Sequence, residues 1–203
     1  MANQYDQKYA QGAFYWGKKP SPFCLKVLEF FPADRPLRLI DIGCGEGRNA
    51  VFFARNGFQV TAFDLSATAV QKSQQLAAEA NLKIEVFKAD MLVHRLAEPF
   101  DVIFCHGCLQ YVPPDMRQTL LENYKQNTNP GGLNVLSVFV KKPFIEKAPD
   151  GESTSHKWTS GELFAHYHDW RFDLCTETIF DCMSSGVPHQ HAMDQLIARK
   201  PQY

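Results

Sequence analysis

The chain has 203 residues and a formal net charge of −1, a length that suits one domain with a substantial core and a balance that argues against nucleic acid as a main partner. No apolar run approaches the length needed to cross a bilayer, and the polar opening MANQYDQKYAQG has no signal-peptide core, so the chain reads as cytoplasmic. Its six cysteines, without a secretory signal, read as free thiols.

In chain order, Ser21-Pro22 supplies an N-cap and a first-turn proline for a helix through FCLKVLEFF. LRLIDI (37–42) is a short apolar run that predicts a buried strand. Ala50, Phe53 and Ala54 follow at helical spacing, with Gly57 as the stop. FQVTAFD (58–64) predicts a second strand, and Ser66 caps a helix whose buried side carries Val70, Ser73, Ala77 and Ala80. KIEVFKAD and FDVIFCH (100–106) are the third and fourth strands. Pro113-Pro114 opens a helix with Met116, Leu120 and Tyr124 along one face, NPGG (129–132) reads as a turn, and LNVLSVFV is the fifth strand. Thr159 and Glu162 form a capping box for a helix through LFAHY. The last two strands, 171–182 and 189–199, are separated by only a short SSGVP connection, which predicts antiparallel pairing. The alternation implies an α/β fold: a Rossmann-like, doubly wound, seven-stranded sheet, mostly parallel with an antiparallel final strand and helices on both faces. One domain, 1–203, is expected, with 1–30 as an N-terminal lid and helix.

The functional signal is DIGCGEGRN. Gly43, Gly45 and Gly47 stand at every second position straight after the first strand, where an open α/β sheet binds its ligand. The spacing differs from the GxGxxG of a pyrophosphate cradle, and Glu46 lies inside the loop. A carboxylate there serves a cationic ligand better than an anion. Asp64, ending the second strand, can accept both hydroxyls of a ribose. Asp90-Met91, after the third, offers an acceptor and a polarizable side chain to an adenine. Together these describe S-adenosyl-L-methionine.

On LIDIGCGEGRNAVFFARNGFQVTAFDLS, NPGGLNVLSVF, QLIARKP and FYWGKKPSPF, the chain resembles the class I S-adenosylmethionine-dependent methyltransferases, and within them the tellurite-resistance methyltransferase family and related small bacterial enzymes. The resemblance implies that Gly43, Gly45 and Gly47 lie under the methionine part with Asp41 behind them. It puts Asp64 at the ribose, Leu65 beside the adenine, and Asp90 and Met91 at the adenine edge. Cys105 and His106 then lie where the fourth strand meets the sulfonium, Cys105 through its backbone. That reading accounts for the Cys105–Cys108 CxxC without a metal, and none is expected. Tyr15 and Trp16, in an aromatic cluster with Tyr5, Tyr9 and Phe14, are expected in a lid whose faces attract the sulfonium.

The expected partner is a small-molecule methyl acceptor, with the protein a monomer or homodimer and with no membrane or nucleic acid involved. CHGCLQYVPP lacks the Asn/Asp-Pro-Pro-aromatic run of amide methylation. A thiol or reduced chalcogen needs little help from a base, whereas an oxygen or nitrogen nucleophile needs one. His106, His189 and His191 are the candidates, and His189 in GVPHQH matches a histidine of related small methyltransferases. Tellurite enzymes carry a His-Arg pair shortly before that place. Here Asp181-Cys182-Met183 stands instead, which argues against tellurite itself as acceptor. The alternatives are O- or N-methylation of a small metabolite, or a non-catalytic S-adenosylmethionine binder.

Overall fold

At the start of α2 (Pro22–Leu28) the Ser21 hydroxyl oxygen accepts from the Phe23 N–H, so the serine–proline pair opens the helix as expected. The same logic sets α4 (Ala67–Glu79), where Ser66 Oγ accepts from the Ala69 N–H at 3.2 Å. The computed structural model describes residues 4–30, 35–148, 155–183 and 186–202. The chain divides into two compact units, Met1–Phe104 and Cys105–Tyr203.

The first unit holds α1 (Gln4–Tyr9), α2, β1 (Arg38–Ile42), α3 (Arg48–Arg55), β2 (Gln59–Asp64), α4, β3 (Glu85–Lys88) and most of β4 (Phe100–His106). Its strands are all parallel, in the order β3-β2-β1-β4. Leu39, Ile40 and Ile42 on β1 are fully buried, as strands covered on both faces require. Phe53 of α3 packs edge-on to Phe58 and Phe104, with ring centroids 5.5 and 5.0 Å apart. Gly57 ends α3 with φ +88°, the left-handed stop the sequence predicts. On α4 the buried face is Ala69, Val70, Ser73, Leu76 and Ala77, while Ala80 is half-buried.

The second unit holds a 3-10 turn at Leu109–Tyr111, α5 (Pro114–Gln126), β5 (Thr128–Lys141), β6 (Trp158–Thr159), α6 (Glu162–Ala165), β7 (Arg171–Cys182) and β8 (His189–Arg199). β8 lies antiparallel to both β5 and β7, and the short β6 adds to β5 in parallel. The expected bounds of β4, β7 and β8 match the structure residue for residue.

Three local readings are corrected. NPGG is not a turn but the start of β5: Gly131 N–H donates to Lys200 O at 3.0 Å, and Lys200 N–H to Gly132 O at 2.9 Å. Pairing with a segment some seventy residues away overrides the local turn chemistry. On α5, Met116 is only half-buried, and Arg117 joins Leu120, Leu121 and Tyr124 on the buried face. Burial of that guanidinium is compensated by Glu162 at 2.6 Å, His156 O at 2.8 Å and the Trp158 ring at 4.3 Å. The expected capping box is present on one side, with Glu162 Oε2 accepting from the Thr159 N–H, but Gly161 is the N-cap and α6 is four residues long. Among the described residues, no helix is long and apolar enough to cross a membrane.

Candidate cofactor-binding site

The loop after β1 is built on left-handed backbone. Gly43, Gly45 and Gly47 have φ of +68°, +55° and +86°, a conformation that costs other residues about 1–2 kcal/mol. The Gly43 and Cys44 N–H groups both donate to Phe63 O at 3.0 Å, which fastens the loop to the end of β2. A Cβ on Gly47 would stand 2.2 Å from Ser73 Oγ and 2.9 Å from Ser73 Cα. That glycine therefore lets α4 approach the start of α3. Gly45 has a different neighbour: a Cβ there would meet the Tyr9 hydroxyl at 3.2 Å.

Three acidic side chains surround this loop, and each is in a different state. Asp64 accepts from the Gly45 N–H through Oδ2 at 2.8 Å and from the Ser66 N–H through Oδ1 at 2.9 Å. It clamps the glycine loop to the entry of α4, and burial raises its carboxyl above the ordinary range. Glu46 is buried and salt-bridged to Lys72 at 2.9 Å, and its other oxygen accepts from the Trp16 N–H at 3.3 Å. Its charge is thus already matched by Lys72, a correction to its reading as a partner for a cationic ligand. Asp41 is 1% exposed, and among the described residues its Oδ2 has no hydrogen-bond partner. Burial, reinforced by Asp64 and partly offset by Arg48, pushes Asp41 up to about 7.

The N-terminal segment lies on the same loop. Lys72 reaches Gln11 O at 2.6 Å and Ala13 O at 2.8 Å, Arg48 reaches Trp16 O at 3.0 Å, and Ser66 Oγ donates to Asp6. Tyr15 and Trp16 meet edge-on at 4.8 Å, and Trp16 Nε1–H donates to Tyr9 Oη at 3.3 Å. The aromatic nearest the glycines is Tyr9, 5% exposed, which sequence reasoning left in the crowd. Nothing in the sequence distinguishes it from Tyr5, Phe14, Tyr15 and Trp16. Burial and the nearby Asp64 drive its phenol far above the usual value.

Leu65 is 44% exposed beside Asp64. Asp90 Oδ1 accepts from the Leu92 N–H at 2.9 Å, a local turn that sets the half-buried Met91 after β3. In the second unit, Cys105 and Cys108 are buried with their sulfurs 2.9 Å apart and no disulfide between them. His106 Nδ1 lies 2.6 Å from Ser137 Oγ, and that hydroxyl oxygen also accepts from the Gly107 N–H. His189 is gathered with His191: the two Nε2 atoms are 3.0 Å apart.

The donor set around the glycine loop fits a cationic nucleoside. Asp41 contributes a buried acid with an orphaned oxygen, and Asp64 spends two of about four lone-pair sites on backbone donors, leaving acceptor capacity for hydroxyls.

The sequence profile of the family described as tellurite resistance protein TehB matches residues 15–182. A curated relative, the "Probable S-adenosyl-L-methionine-dependent methyltransferase TehB" of Haemophilus influenzae, is 26% identical over 166 residues, 81% of this chain and 57% of that one. A ubiquinone biosynthesis O-methyltransferase of Rickettsia canadensis is 29% identical over 122 residues, 59% of this chain and 51% of that one. The crystal structure of TehB from Haemophilus influenzae superposes with a TM-score of 0.79 at 21% identity, covering 97% of this chain and 65% of that chain. The chain spans about half the length of the curated relatives it matches. The fold is therefore the seven-stranded, mostly parallel Rossmann-like sheet expected, with a small extra strand, and the chain belongs to the TehB tellurite resistance family of class I S-adenosyl-L-methionine-dependent methyltransferases.

Proposed function

We propose that this chain transfers a methyl group from S-adenosyl-L-methionine to a small-molecule nucleophile, a thiol or reduced chalcogen compound, in a reducing compartment such as the cytoplasm. The observation that carries the reading is the acid pair around the glycine loop. A buried carboxyl with an orphaned oxygen, two residues before three left-handed glycines, is better matched by an ammonium or sulfonium than by a phosphate. Asp64 would hold ribose hydroxyls while keeping its two backbone donors. Leu65, Asp90 and Met91 would border the adenine, and Tyr15 and Trp16 would shield the site from water.

When bound, the cofactor supplies a methyl carbon already activated for in-line displacement, so the protein's work is alignment and exclusion of water. The docked N-terminal segment, held through Lys72, Arg48 and Glu46, suits the second task. A thiolate needs no base. All six cysteines are unbridged, as a reducing compartment requires. A second reading, an oxygen or nitrogen acceptor, draws on His189. Its Nδ1 is tied to Val187 O at 2.8 Å, which leaves Nε2 as the basic nitrogen.

The test is direct. Calorimetry should give stoichiometric binding of S-adenosyl-L-methionine, and incubation with thiols, with selenide or telluride generated by prior reduction, and with small phenols should release S-adenosylhomocysteine with the thiols or the reduced chalcogens. Absence of binding would overturn the cofactor assignment. Binding with release only from phenols would replace the thiol reading with O-methylation, and binding without release from any acceptor would leave a non-catalytic binder.

A further inference from the structure

The hairpin end of the β7–β8 pair carries a cluster that thiol or chalcogen methylation does not use. Cys182 stands directly opposite His189 in the antiparallel register, and His191 follows two residues along β8 on the same face. Cys182 Sγ and one nitrogen from each histidine all lie within 4.8 Å of one another, and the three residues are half-buried. His189 Nδ1 is 2.8 Å from Val187 O. A carbonyl oxygen only accepts, so Nδ1 carries the proton and Nε2 presents a lone pair toward His191 Nε2, 3.0 Å away. The rings are held in place: His191 packs against Phe139 at 4.9 Å and Phe180 at 5.8 Å, and meets His189 edge-on at 4.7 Å.

We propose that Cys182, His189 and His191 form a three-ligand site for a thiolate-accepting divalent metal ion of the zinc type. One sulfur and two imidazole nitrogens are the donors such an ion takes, and tetrahedral coordination would set them about 3.3–3.6 Å apart, within the 4.8 Å spread already present. The Val187 carbonyl does for His189 what outer-shell acceptors do for metal-bound histidines: it fixes the tautomer and the ring. Binding releases the Cys182 thiol proton to solvent and moves the His191 proton to Nδ1, so that both Nε2 lone pairs and the thiolate face the ion. The described residues supply three ligands, leaving a fourth position for water or a small anion. Partial exposure gives the ion a route in. Metal at Nε2 occupies the lone pair that a general base would need, so a loaded His189 is a ligand and not a base.

The experiment uses untagged full-length protein and two probes, Zn²⁺ and Co²⁺. Titration of Zn²⁺ against a chromophoric chelator should give one equivalent per chain. Co²⁺ should give the intense visible bands of tetrahedral coordination and a near-ultraviolet thiolate-to-cobalt charge-transfer band. Cys182→Ser should abolish the charge-transfer band, and His189→Ala or His191→Ala should each weaken Zn²⁺ binding at least about tenfold. Cys175→Ser, an exposed thiol on the same strand, should change nothing. Circular dichroism checks that each variant folds. No stoichiometric binding to the wild-type protein, or binding that survives unchanged in the combined Cys182→Ser/His189→Ala/His191→Ala variant, overturns the site. Either result leaves the methyl-transfer reading to be judged by its own assay.

Discussion

Replacing Asp41 by asparagine isolates the acid on which the cofactor reading rests. In the folded protein Asp41 titrates at about 7, against an ordinary 3.8, because burial removes its carboxylate from water and Asp64 adds like charge. Between those values the folded chain holds a proton that the unfolded chain has lost. Stability from this group is therefore fully present below the unfolded value and is lost as pH rises through about 7. At 1.36 kcal/mol per unit, the wild type should lose about 2.5 kcal/mol between pH 5 and pH 8 from this residue alone. Asparagine carries no charge, so Asp41→Asn should lack that slope. Urea unfolding of both proteins at the two pH values reads the difference, and any constant cost of the amide cancels in it. A cationic ligand should hold Asp41 ionised, so calorimetry in two buffers near pH 6.5 should show proton release on binding, absent in the variant. Parallel stability profiles for the two proteins would mean that Asp41 is solvated or otherwise paired, and the argument for a cationic ligand would fall with it.

Gly47→Ala should cost about 2–5 kcal/mol in urea unfolding, from left-handed backbone and overpacking against Ser73, with partial recovery in Gly47→Ala/Ser73→Gly. A loss under about 0.5 kcal/mol would show that the loop does not press on α4. Asp64→Ala should raise the dissociation constant for S-adenosyl-L-methionine about 10–150-fold by calorimetry, and unchanged affinity would remove it from the ribose site. Deleting residues 1–16 should cut turnover far more than it lowers the melting temperature, because it removes Tyr9, Tyr15 and Trp16 while leaving β1 and α4 intact. Full activity in the truncated protein would make those rings ordinary packing.

Much of this fold was legible because its local signals agree with its tertiary structure. β4 is an apolar run, β7 and β8 are mixed runs parted by the SSGVP connection, and Ser21 and Ser66 cap as their sequence neighbours dictate. The failures share one cause. NPGG carries every mark of a turn, yet Lys200 holds it extended from across the second unit. Arg117 interrupts an apolar face because Glu162 and Trp158, distant in sequence, make its burial tolerable. In the loop after β1, the left-handed glycines and the Asp64 carboxylate that clamps Gly45 stand at the strand ends where the sequence puts them. The Glu46–Lys72 pair and the approach of Tyr9 to Gly45 could not be read in this way. Both join residues far apart in the chain, and no periodicity records which lysine or which of five clustered aromatics will arrive.

The features that make poor sense as structure alone lie close together. Gly47 has a packing reason in Ser73, and Gly57 has one as a helix stop, so neither demands a ligand. Gly43 and Gly45 hold left-handed backbone between the end of β1 and that packed position. Asp41 carries an unpartnered oxygen, and burial also drives the Cys44 thiol up. A chain selected for stability alone would have a neutral side chain at position 41, since a buried acid with an empty acceptor costs about 1–3 kcal/mol. Arg48 and the Ala50 N–H offset only part of that cost, and a cationic ligand would offset the rest. Sequences depart from local consistency mostly where function requires it, and here the departures converge on one loop.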